Sequence, residues 1–163
     1  MAEPWLCGTH TDLPAVLRAI VHALEMARED INAAVAPLAN AVVNARPGSA
    51  ASIAFHLRHI PRSLDRLLTY AEGNQLSAAQ LDALKSEGDL SKAKADLLAE
   101  FHRGLDDATR RVRALANADL EQPRRVGRNA LPTSVGGLLV HCADHTLRHT
   151  GQVVTTAKIV AGN

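Results

Sequence analysis

TSVGGLLVHCADHTLRHTGQVVTTAKIV, residues 133–160, reads as one long helix. Thr133 or Ser134 offers a capping hydroxyl, and Val135, Leu139, Cys142, Val153 and Val160 mark an apolar face at helical spacing. Gly136-Gly137 would weaken an isolated first turn, so tertiary packing has to hold it. The same helix carries His141, His145 and His149 at i, i+4 and i+8. Four residues advance the helical wheel by only about 40°, so neighbouring members lie one turn apart on nearly the same side. Two imidazoles placed in this way can share one metal ion. On the wheel His145 and His149 flank the apolar stripe and make the better pair, whereas His141 lies further round toward solvent.

Three more amphipathic segments lie upstream. Thr11-Asp12-Leu13-Pro14 reads as a helix start, with a capping oxygen and Pro in the first turn. Leu13, Val16, Leu17, Ile20, Val21, Leu24 and Ile31 continue that helix to about residue 35, before Pro37 and the run 45–49. A second helix is expected over about 50–72, with Pro61 kinking it by removing a backbone hydrogen bond. Residues 76–85 suit a short surface helix, after which Glu87-Gly88-Asp89 turns the chain. Ser91 is expected to cap a third long helix over about 91–117, with Leu97, Phe101, Leu105 and Val112 on one face. Residues 117–131 are polar and broken by Pro123 and Gly127, with Pro132 just beyond, and read as a loop; no strand-like alternation appears. Four long amphipathic segments in a chain of 163 residues imply one all-α domain, a four-helix bundle. Its core spans about 11–160, after a loose N-terminus at 1–10. The connections exceed the shortest helix-hairpin turns, so at least one long crossover is expected.

Composition narrows the function classes. Alanine supplies 29 residues, which favours helix. A net charge of +1 from 18 basic and 17 acidic residues does not suit a nucleic-acid grip or a polybasic membrane anchor. The basic runs Arg110, Arg111, Arg113 and Arg124, Arg125, Arg128 read as an exposed helix face and a loop patch without aromatic stacking partners. Cys7 and Cys142 make no disulfide framework, and Cys142, on the apolar stripe, reads as a small buried residue. No apolar run reaches bilayer length and no signal peptide is read at the start, so a cytoplasmic protein that binds neither nucleic acid nor membrane is expected.

The second helix carries His56 and His59, about one turn apart. Periodicity places His56 near the middle of the apolar face and His59 at its edge, a position that can still point into a cleft. Two imidazoles from one helix and one from another would give three neutral nitrogen ligands, suited to Zn, Ni or another borderline divalent ion, with positions left for water or substrate.

Two stretches resemble the DinB/YfiT-like superfamily of four-helix-bundle metalloproteins. Arg46-Pro47-Gly48 followed by Ser52-Ile53-Ala54-Phe55-His56-Leu57-Arg58-His59-Ile60 is similar to the family's second-helix motif, where a Ser precedes the metal-binding His by seven residues. His141-Cys142-Ala143-Asp144-His145-Thr146-Leu147-Arg148-His149-Thr150-Gly151-Gln152 is similar to its last-helix motif, where the final HxxxH before Gly-Gln supplies two ligands. The resemblance covers roughly 11–160. It implies a ligand set of His59, His145 and His149 for one divalent ion, with His56, His141 and Gln152 as supporting residues beside it. It also implies a bundle with a long crossover, a homodimer and an unknown small-molecule substrate. Metal-dependent thiol transfer or hydrolysis is the implied activity, with a low-molecular-weight thiol as a second cofactor; Arg58, Arg62 and Arg148 are the candidate contacts for an acidic thiol. The alternative is a metal-binding homodimer without catalysis, acting in stress-linked binding.

Overall fold

The computed structural model describes residues 2–88 and 92–162. Four long helices, α1 (Ala15–Val35), α3 (Ile53–Ala71), α5 (Lys94–Ala114) and α6 (Val135–Val160), are joined through short helices α2 (Asn40–Asn44) and α4 (Ala78–Lys85). An antiparallel hairpin of β1 (Pro123–Val126) and β2 (Leu131–Ser134) precedes α6. Helix α1 packs chiefly on α6, α6 on α3, α3 on α5, and α5 back on α1. The bundle is therefore a ring in the order α1, α6, α3, α5. Chain neighbours α1 and α3 sit on a diagonal, as do α5 and α6, so both of those connections cross an end of the bundle. The wall between α3 and α6 is where the second-helix and last-helix histidines meet.

The core follows from the periodicity. Leu17, Leu24, Leu57, Leu64, Phe101 and Leu139 are almost wholly buried at its centre. Pro61 lies in α3, which runs as one element from Ile53 to Ala71. The opposing residue is Gly104, where an added Cβ would fall 2.2 Å from Pro61 Cβ. At Gly136 the backbone N–H donates to the Leu120 carbonyl at 2.8 Å, the packing that the paired glycines at the start of α6 require.

Several local expectations are corrected. Helix α1 begins at Ala15 without a side-chain cap, because the cap position falls on Pro14, which has no polar side chain; Asp12 pairs with Arg113 instead. The segment 1–10, read as loose, is held over its described part: Pro4 is buried, and His10 bonds Glu25 at 2.7 Å. Ser91 lies outside the described residues. The first N–H of α5, from Lys94, instead donates to Asn40 Oδ1 at 2.6 Å, so the unanticipated helix α2 caps α5 from a distance. The stretch read as a loop contains the hairpin. Its strands are four residues long and largely exposed, so they leave no apolar alternation to read. Gly127, at φ 70, opens its turn. Arg124 is a strand residue that donates to the Ala71 carbonyl. Arg111 is not on an exposed face either. It is buried against α3, where it clamps both oxygens of Glu72 and bonds Asp65 and Thr69. Burial disfavours its charge, but those two carboxylates more than offset this and hold the guanidinium charged.

Candidate metal centre

Ser52 caps α3, its hydroxyl accepting the Phe55 N–H at 3.2 Å. This sets the register of the helix, and seven residues later His59 emerges at the wall shared with α6. Ser134 does the same for α6 by accepting from Gly137 N–H. The structure brings His59, His145 and His149 together, one ring nitrogen from each lying within 4.8 Å of the others. The Nε2 atoms of His59 and His145 are 3.0 Å apart. The rings of His145 and His149 have centroids 4.5 Å apart and meet edge to face.

The remaining nitrogens are anchored. His59 Nδ1 lies 2.8 Å from Glu87 Oε2, and the other Glu87 oxygen accepts from Arg66. His149 Nδ1 lies 2.9 Å from His56 Nδ1. Both anchors occupy Nδ1 and leave Nε2 to the shared point. His56 is buried, the core position that the wheel indicated, and touches the cluster through His149. Gln152, three residues on along α6, favours the charged form of His149 against the burial of that ring. His141 is exposed and faces Asp144 at 3.5 Å, outside the cluster. Asp144 in turn pairs with Arg148 and does not orient a ligand ring.

Electrostatics favour the neutral form of three of these rings. Burial, then the neighbouring His149 and His59, push His56 down to about 4. Burial, then His149, His59, His141 and Arg148, push His145 down to about 4. Burial and His59 also hold His149 below its ordinary value. Neutral imidazole is the form that ligates a metal. Nitrogens bound to one ion at about 2.0–2.1 Å lie about 2.9 Å apart at a right angle and about 3.4 Å apart at the tetrahedral angle. The 3.0 Å separation of the His59 and His145 nitrogens falls in that range, so this pair is spaced to share a divalent ion, with the His149 nitrogen within 4.8 Å of both.

A model of the DinB superfamily matches residues 23–153. The chain belongs to the DinB superfamily. A crystal structure of a conserved protein from Enterococcus faecalis has the same fold, with TM-score 0.75 at 17% identity over 91% of this chain and 98% of that one. No curated protein matches the sequence significantly.

Other groups in this DinB chain are placed away from the cluster or are spoken for. Cys142 is buried and its thiol is pushed up to about 12 by burial, so it is no nucleophile. Arg62 is engaged by Glu100 and the Ala83 carbonyl, and Arg58 is buried. A second histidine group, His10, His22 and Glu25, is a hydrogen-bonded tie. Arg113 donates to His10 Nδ1, so the ring proton sits on Nε2 and goes to Glu25. A cation there would stand beside a guanidinium. Glu87 is the residue that sequence reading passed over, since an acidic residue in a turn carries no periodic signal. Burial pushes its carboxyl up, but the bonds from His59 and Arg66 outweigh this and hold it below its ordinary value. No helix of the described residues is long and apolar enough to cross a membrane.

Proposed function

We propose that this protein binds one divalent metal ion, with zinc or nickel as the first candidates, through His59, His145 and His149, and uses it in thiol-dependent transfer or hydrolysis. The observation that carries the reading is the convergence of three ring nitrogens from α3 and α6 within 4.8 Å, with burial and neighbouring rings favouring the neutral forms of His145 and His149. The bound ion would act as a Lewis acid that lowers the pKa of a coordinated water or thiol. The chain supplies the surroundings. His56 engages His149 Nδ1 and so keeps its Nε2 directed to the shared point. An open pocket of about 560 Å³ adjoins His56, with Arg148, Gln152 and Thr155 on its wall, and offers a place for a small molecule beside the cluster. Arg148 would meet an acidic group on that molecule.

The test is metal stoichiometry. The purified, metal-stripped chain should take up one equivalent of zinc or nickel by elemental analysis and calorimetry. H145A and H149A should lose that equivalent while H22A keeps it. A wild-type protein that takes up no stoichiometric metal ends the reading.

A further inference from the structure

The geometry points to Glu87 as a positioning residue for His59: its carboxylate fixes the proton of His59 on Nδ1 and thereby presents the Nε2 lone pair to the shared point. This rests on the metal reading above and deepens it. An ionised carboxylate only accepts hydrogen bonds, so the 2.8 Å contact from Glu87 Oε2 requires the ring proton on Nδ1. The opposite nitrogen, Nε2, is the one that stands 3.0 Å from His145. Glu87 is itself locked, being only 5% exposed with its second oxygen held by Arg66.

The way α4 is attached strengthens the inference. That helix buries no residue in the core, and Leu81 and Leu84 are each 45% exposed. Apolar packing therefore does not account for its position. Polar links to one face of α3 hold it and the turn that follows. Gln80 bonds Asp65 and Thr69, Arg62 bonds the Ala83 carbonyl and Ser86, and Arg66 bonds Glu87. His59, Arg62 and Arg66 are spaced three and four apart and form one stripe along α3. The stripe clamps the excursion in the register that brings Glu87 to His59. A carboxylate on the far nitrogen of a ligating imidazole fixes the tautomer and raises its basicity, and losing such a partner weakens metal affinity by about 10–100-fold.

The experiment has two readouts. In metal-free, ¹⁵N-labelled protein, long-range ¹H–¹⁵N correlation reports the tautomer of His59. The wild type should show the Nδ1–H form, E87A should lose it, and E87D should restore most of it. Zinc affinity, measured by competition with a chromophoric chelator, should fall about 10–100-fold in E87A and by less in E87Q, whose amide oxygen still accepts the bond. R66M should shift both readouts in the direction of E87A. Urea titration confirms folding, and R66M serves should E87A fail it. An Nδ1–H tautomer that persists in E87A and R66M, or zinc affinity of E87A within twofold of wild type, overturns the inference. The tautomer readout needs no metal, so a wild type that takes up no zinc would sink the metal reading while the tautomer still decides whether Glu87 directs the ring.

Discussion

Lowering the pH from 7 to 4.5 should destabilise the metal-free protein by about 3 kcal/mol through its buried imidazoles. His56 and His145 have an ordinary value of 6.5 and are held at about 4 in the fold. Between those values the unfolded chain binds protons that the folded chain refuses, so stability is full above pH 6.5 and drains as the pH falls toward 4. At about 1.36 kcal/mol per pKa unit, one such ring would account for roughly 2.5 kcal/mol by pH 4.5. The two do not add in full. His145 is partly open to solvent, which screens its charge, and the repulsion among the rings is shared, so about 3 kcal/mol in total is the expected loss. Urea titrations followed by circular dichroism at pH 7, 6, 5 and 4.5, with EDTA present, give the number directly. H145Q should flatten the profile between pH 6.5 and 4.5. A midpoint that stays level or rises on acidification would refute the claim that these rings are held neutral.

Three further outcomes test the surroundings. R111A should cost about 1–3 kcal/mol by urea titration, because the buried guanidinium's bonds to Glu72 and Asp65 are lost while solvent screens the two carboxylates left behind, and R111M should recover only the packing part of that loss. G104A gains about 1 kcal/mol of helix propensity but drives a methyl to 2.2 Å from Pro61 Cβ, so a net loss of about 1–2 kcal/mol is expected by urea titration. At pH 8 a thiol reagent should label exposed Cys7 at once and buried Cys142 only after unfolding, which mass spectrometry of the labelled peptides resolves.

The four long helices were legible because each must bury one stripe, and burial imposes a 3.6-residue period on Leu, Ile, Val and Ala. His145 and His149 were legible for the same reason, as spacing on one helix is fixed by the helix itself. His59 against His56 was not a matter of spacing. His56 lies toward the middle of the apolar face of α3 and His59 at its edge, and the cluster takes the edge ring, with His56 behind His149. The unread elements have other causes. Helix α2 is too short to show a period although Val43 is buried, and the hairpin and Glu87 make polar contacts with residues distant in sequence: Arg124 to Ala71, Glu87 to His59. Such pairings leave no local pattern. Arg111 misled in the same way. Its neighbours along α5 are surface charges, and only the carboxylates delivered by α3 make it an interior residue.

The ring order of the helices also governs when the histidine cluster comes into being. His59 and His145 are separated by 86 positions, and their helices become neighbours only when the last long segment closes the ring. During synthesis the first three long helices leave the ribosome with an apolar trough still waiting for α6. Closing it spans most of the chain, a slow event in folding terms, and a nascent polypeptide cut short of residue 145 has two of the three rings missing. Metal capture by this trio would therefore report that α6 has been synthesised and docked.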